Sequence, residues 1–320
     1  MDPADGGFDG IVENVVWQGG LPVAPGSTCA WVHAQDAAGN WGPYTSQCFL
    51  VIFAGPDNVA PVSPAPDSVV LANGVDLVIG WPASFDAGLF GGTTEYRVLR
   101  ATAPGGSYTD VSGAIPVNGS GRYTFADPGL GADAFDYFYE IQAADAASNT
   151  ALSTSLAAKV RISFTSGLNL LGVPLRLTNP SLLNLFAGRV WADAWSYDGC
   201  DTGFAWSTAL PTDVTGFSLI PGRGFWVNGT APDVVTALGV IAKTNRLHLC
   251  AGWNLIALPG FAAGVTVQSL IAATGASRVS GFDAAGPYHV RDLIGTDVLV
   301  AGRGYWIYVA VAVDWTVPGW

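Results

Sequence analysis

Apolar and polar residues alternate over most of this chain with a period of two, the spacing of β-strands, rather than the 3.6 of helices. The alternation predicts strands at 75–81 (VDLVIGW), 94–100 (TEYRVLR), 122–127 (RYTFAD), 137–145 (YFYEIQAAD) and 153–162 (STSLAAKVRI). Turn chemistry separates them: APGG at 103–106, NGSG at 118–121 and DPGLG at 127–131. Short strands at this spacing predict an antiparallel sandwich. Upstream, TCAWVHAQ and WGPYTSQCFLVIF flank DAAGN, so 28–53 reads as a hairpin. If its strands pair about a centre near 38.5, partner numbers sum to 77, and Cys29 faces Cys48 at a separation a disulfide accepts.

AGPDNVAPVSPAPDS (54–68) is rich in proline and aspartate and reads as a stiff linker. Beyond it, Trp81 closes the second strand, YRVLR forms the third, and Tyr137-x-Tyr139 precedes IQAAD. With these features, residues 61–162 resemble a fibronectin type III domain of prokaryotic secreted proteins. The resemblance implies that Trp81 and one of the two tyrosines are core and corner residues, not ligand contacts. AQDAAGN (34–40) returns almost unchanged as AADAASN (143–149), so residues 1–54 resemble the closing strands of a bacterial immunoglobulin-like domain whose first half is missing. About four strands are too few to bury both faces of a sandwich. Either the chain is the C-terminal part of a longer polypeptide, or another subunit lends the missing strands by β-augmentation.

The C-terminal half contains a duplication. GLNLLGVP (167–174) matches GWNLIALP (252–259), NPSLLNLFAG (179–188) resembles TVQSLIAATG (266–275), and PGRGFWV (221–227) matches AGRGYWI (301–307). The order is kept and the offset is 80 to 87 residues, which predicts two copies of one unit, 163–245 and 246–320. In each, an alternating strand ends at Pro174 or Pro259 and a short helix follows. Asn179 is the expected cap of the first helix, with Pro180 at its first position and Gly188 as its stop; Thr266 and Gly275 are the cap and stop of the second. The doubled Gly-Arg-Gly phrase reads as a closing corner of scaffold, with Arg223 and Arg303 placed to stack on tryptophan or to pair with Asp198 or Asp283. The region resembles the tandem GWNLISLP…GYWV modules that end many secreted or surface proteins of bacteria and archaea. That family offers no catalytic residues to carry over. The fold expected for the whole is mainly β: immunoglobulin-like and fibronectin III β-sandwiches (1–54 and, with its linker, 55–162), then a duplicated β-rich domain with one short helix per repeat.

Composition narrows the function. Charged residues make up 12%, against about 25% in ordinary domains. This fits a surface largely covered by neighbours, and equally a secreted β-protein rich in small residues. The net charge of −12 repels phosphate backbones and argues against nucleic acid as a partner. No apolar run approaches the roughly 20 residues that span a bilayer. Cys29, Cys48, Cys200 and Cys250 form no C-x-x-C pair, so disulfides of an oxidising compartment fit better than zinc, with Cys200–Cys250 as the second bridge. The first ten residues lack the basic start and apolar core of a signal peptide, so an export signal is expected upstream.

Candidate chemistry is sparse. His33, His248 and His289 have no spaced His or Cys partner, and no nucleophile elbow, P-loop or dinucleotide fingerprint occurs. The expectation is therefore a non-enzyme. Trp191, Trp195 and Trp206 have no repeat partner and are the candidates for stacking on sugar rings; Trp226 and Trp306 are expected in packing. Asp2, Asp5 and Asp9 form a weak calcium candidate, and no other cofactor is expected. NGS at Asn118 and NGT at Asn228 fit the glycosylation acceptor pattern in expected turns. The function expected is that of an extracellular structural or adhesive module string in a surface layer, filament or adhesin. Its partners would be copies of itself, neighbouring surface-protein domains or polysaccharide. The alternative is the anchoring or polysaccharide-binding tail of a secreted hydrolase.

Overall fold

The computed structural model describes residues 2–3, 15–16, 26–33, 35, 39, 41–51, 57–86, 92–203, 205–284 and 289–320. They fall into two units, Met1–Asp57 and Asn58–Trp320. In the first, β1 (Asp2–Pro3) pairs with β2 (Val15–Val16), and β3 (Gly26–Val32) with β4 (Thr45–Val51). The β3–β4 register runs from Gly26↔Val51 to Val32↔Thr45, and Cys29 lies opposite Cys48, as the symmetry of the hairpin predicts. After the strand the His33 ring stacks on both Trp41 and Tyr44, at centroid distances of 4.2 and 4.0 Å. Asp5 and Asp9 of the calcium candidate lie outside the described residues.

The second unit opens with a fibronectin III-like sandwich. Its strands are β5 (Ser68–Ala72), β6 (Asp76–Pro82), β7 (Glu95–Ala101), β8 (Thr109–Asp110), β9 (Ile115–Pro116), β10 (Arg122–Asp127), β11 (Tyr137–Ala144), β12 (Thr150–Leu152) and β13 (Ser155–Phe164). One sheet runs β10-β6-β5; the other contains β13-β11-β7-β8. The inward positions of both sheets form a core in which Trp81 meets Tyr96 and Tyr123, with centroids 5.7 and 6.2 Å away. Tyr139 is the tyrosine whose hydroxyl ties back to the preceding strand: it donates to Asp127 at 3.0 Å, and Arg100 pairs with the same carboxylate at 2.7 Å. Trp81 and Tyr139 are both completely buried, which removes them from ligand contact as the resemblance implies.

The repeats follow. The first comprises β14 (Gly167–Gly172), β15 (Arg176–Leu177), α1 (Leu182–Leu185), β16 (Trp191–Tyr197), β17 (Trp206–Ala209), β18 (Gly224–Gly229) and β19 (Asp233–Ala242). The second comprises β20 (Thr244–Leu249), β21 (Gly252–Ala257), α2 (Val267–Thr274), β22 (Arg278–Phe282), β23 (Val290–Asp292), β24 (Gly304–Val309) and β25 (Val313–Pro318). Each builds a four-stranded sheet of the same order, β14-β18-β16-β17 and β21-β24-β22-β23. In each the closing strand returns to pair with the leading one, β19 with β13 and β25 with β20. Strand β13 therefore serves twice: residues 157–159 pair with β11 of the sandwich, and all of Ser155–Phe164 pairs with β19. The boundary expected between 162 and 163 falls inside this strand.

The asparagine of each GLNLL/GWNLI phrase holds its own turn. Asn169 accepts from the Thr165 amide and donates to the Thr165 and Gly167 carbonyls; Asn254 repeats the pattern on Cys250 and Gly252. The helices differ more. The second follows expectation: Thr266 caps it reciprocally with Ser269, and Gly275 ends it in the left-handed region. The first corrects it. Ser181, not Asn179, stands at the N-cap, and Pro180 lies outside the helix. The Asn179 side chain accepts instead from the Ser181 amide, a local turn that delays the helix start.

The doubled Gly-Arg-Gly phrase is where the repeats touch. Arg223 bridges to Ile256 and Arg303 to Leu171, matching positions exchanged between the copies. The hydrogen bonds are exchanged likewise: the Ala257 amide donates to the Gly222 carbonyl at 2.9 Å and the Gly172 amide to the Gly302 carbonyl at 3.2 Å. The copies thus dock about a local two-fold, and glycine is required by the closeness. A Cβ on Gly224 would sit 2.9 Å from the Ile256 carbonyl oxygen, and one on Gly304 would sit 2.8 Å from that of Leu171. Gly304→Ala is expected to destabilise by about 1–3 kcal/mol through overpacking, read from the urea midpoint. An unchanged midpoint would show that the contact yields freely.

Candidate functional site

The outer faces of the two four-stranded sheets meet on either side of that local two-fold. On one side Trp226 of the first repeat packs edge-on to Phe282 of the second, with centroids 4.8 Å apart. On the other side the equivalent pair is Trp306 against Tyr197, at 5.0 Å. These pairs account for the packing of tryptophan at both copies of the GFW/GYW phrase.

The two sides then diverge. Around Trp226 and Phe282 the neighbouring outward positions are Leu168, Trp195, Asn228 and His289. Around Trp306 and Tyr197 the matching positions of the other copy are Trp253 and Tyr308, and β17 adds Trp206. Trp206 is 51% exposed, and Trp253 and Tyr308 are 37% exposed each. Each side carries one such pair; the opposite side adds half-buried Trp195 and the His289 ring, whereas this side adds three large aromatics, Trp206, Trp253 and Tyr308. These three rings face solvent.

Tyr197, Trp253 and Trp306 line an open trough of about 420 Å³ together with Arg278, Ser280 and Val290. Arg278 grips Asp292 from its Nε and one Nη, the latter at 3.0 Å, and lies 5.9 Å over the Trp253 ring. Ser280 donates to Asp292 at 2.7 Å. The Arg278 guanidinium, then the Ser280 hydroxyl, hold the Asp292 carboxyl below the usual carboxylate range. The trough thus has aromatic walls and a fixed, charge-balanced polar rim.

The three tryptophans expected to stack on sugars separate. Trp206 is on this face. Trp195 is half-buried opposite Trp226 across β16 and β18. Trp191 is a correction: it is 7% exposed and packs on Phe186 in the core, so its ring faces are taken by protein. Asn118 is exposed in a loop as expected, whereas Asn228 is half-buried within β18, because the strand continues one residue past it. Cys200 and Cys250 are bridged, joining the first repeat to the second. Arg223 pairs with Asp198 at 2.7 Å.

Sequence reasoning missed Trp253, Tyr308, Tyr197 and the outward role of Trp306. The signal was in the repeat itself: GLNLL becomes GWNLI and GFWVNG becomes GYWIYV, placing Trp253 and Tyr308 where the first copy has Leu168 and Asn228. An aromatic gained in one copy of a duplicated scaffold is not demanded by the scaffold.

No family profile and no curated protein matches the sequence. Among solved structures, a chitinase from Bacillus thuringiensis aligns over 57% of this chain at 14% identity and a TM-score of 0.23. This chain spans 27% of that chitinase. The FN1–FN3 domains of chicken CNTN1 align over 81% of this chain and 99% of their own, at 9% identity and a TM-score of 0.24. At scores this low neither likeness bears on function. Among the described residues no helix is long and apolar enough to cross a membrane.

Proposed function

We infer that this chain is a non-catalytic extracellular adhesive string whose tandem repeats hold polysaccharide in the aromatic trough. One observation carries the reading: two matching surfaces exist, and only one gathers Trp206, Trp253 and Tyr308 beside Tyr197 and Trp306. Sugar rings present C–H faces that pack on aromatic rings and hydroxyls that need fixed donors and acceptors, which the Arg278–Asp292–Ser280 rim supplies. The Cys200–Cys250 bridge supports a place outside the cell. The sandwich and the first unit then act as spacers that present the repeats.

Affinity electrophoresis through gels cast with soluble polysaccharides tests this. The protein is expected to be retarded, and Trp206→Ala to remove at least half of the retardation while leaving the thermal midpoint within about 2 °C, as a surface change should. Equal mobility of the two proteins in every gel would refute the reading.

A further inference from the structure

Resting on that reading, the geometry points to a narrower ligand: a single neutral glycan chain, clasped between tilted rings, and not the flat face of a crystalline polysaccharide or a polyanion. The rings that line the trough, and Trp206 and Tyr308 beside it, are tilted against one another. Tyr197 and Trp306 are inclined at 57°, Tyr197 and Trp206 at 60°, Trp206 and Trp306 at 58°. Trp253 stands at 86° to Trp306 and 73° to Tyr308. A flat crystal face engages only rings that share a plane. Here no two neighbouring rings do, and any plane laid across them touches edges. A separate chain has no such limit, because consecutive sugar units present their C–H faces in different directions and can enter the trough lengthwise.

Charge separates a neutral chain from an acidic one. Arg278 is the cation that lines the trough, and it is committed to Asp292 by three contacts of 3.0 to 3.2 Å. Asp292 in turn accepts from Ser280. The rim offers directed hydrogen bonds with no net charge, and a polyanion would have to displace Asp292 to reach Arg278. The whole chain, at −12, repels a polyanion further. A neutral sugar meets neither penalty.

The experiment titrates the full chain, by tryptophan fluorescence and calorimetry, with soluble hexaoses of glucose, N-acetylglucosamine, xylose and mannose. In parallel it measures pull-down on crystalline chitin and cellulose, and binding to polygalacturonate. A soluble neutral hexaose is expected to bind, with affinity steady between about 50 and 500 mM salt. Trp253→Ala and, separately, Trp206→Ala are expected to weaken it about tenfold or more, with unchanged far-UV circular dichroism. Capture by crystalline particles without binding of any soluble hexaose overturns this inference and leaves the glycan reading standing. Binding of polygalacturonate that salt abolishes, with none to the neutral hexaoses, does the same. Absence of binding in every arm, or binding indifferent to both substitutions, overturns the glycan reading as well.

Discussion

Asp133→Ala is expected to destabilise the protein by about 3 kcal/mol, the lower end of the cost of stripping one partner from a buried ion pair. Lys159 is completely buried in β13, and its ammonium meets three acceptors: the Leu130 carbonyl at 2.6 Å, the Asp133 carbonyl at 2.9 Å and the Asp133 carboxylate at 2.7 Å. Removing the carboxylate leaves the charge buried against two neutral oxygens. The carboxylate is itself 27% exposed, which holds the figure to the lower end. The pH dependence has a definite sign. Partial burial pulls the Asp133 carboxyl upward, but Lys159 and Tyr137 outweigh it and set it below the ordinary 3.8. A depressed folded value gives stability that is present above the unfolded value and lost as pH falls through the folded one. The gap between wild type and variant should therefore be full at pH 7 and shrink progressively once the medium is more acidic than 3.8. Urea unfolding at both ends of that range measures it. A gap that is under 1 kcal/mol at neutral pH, roughly a surface-pair value, would show that the two carbonyls suffice.

Opening the Cys200–Cys250 bridge should have an effect of similar size. The cysteines are 50 residues apart in sequence, and the chain-entropy relation gives about 4 kcal/mol for a loop of that length. The bridge ties the β16–β17 connection of one repeat to the strand that leads into β21 of the other, so it clamps two copies that otherwise meet through exchanged backbone contacts. Cys200 is exposed, and a small dithiol reaches it without prior unfolding. The double variant Cys200→Ala/Cys250→Ala should show a matching drop in its urea midpoint under oxidising conditions. A midpoint equal to that of the oxidised protein would mean that the docked surfaces alone set the stability.

Much of this architecture is readable from residue order. Alternation locates β7 and β10, where a half-buried antiparallel strand presents apolar side chains mainly to one face, and short apolar runs bounded by turn residues locate the more fully buried β6 and β11. The 28–53 hairpin places Cys29 against Cys48 through register, a matter of counting. The duplication is plain from repeated phrases. What stays hidden arises from contact between the copies. Nothing local in Gly-Arg-Gly says that its glycines admit the backbone of the other repeat, since Gly224 meets Ile256 and Gly304 meets Leu171, each far off along the chain. Trp191 and Trp206 look alike in sequence, yet one points into the core beside Phe186 and the other outward, because the β-bulge between Trp191 and Asp193 turns Trp191 to the face opposite that of Tyr197, whose cross-strand partner is Trp206. The start of α1 is ambiguous in sequence because Asn179 has two competing uses, a cap or a turn, and Pro180 suits either.

The double duty of β13 has a practical corollary for anyone dividing this protein. A fragment that ends before Ser155 strips β11 of a neighbour, and one that begins after Phe164 leaves the whole length of β19 as a raw edge, open to any passing strand. Sandwich and repeats hold this strand in common, so neither can be excised intact unless the other goes without it.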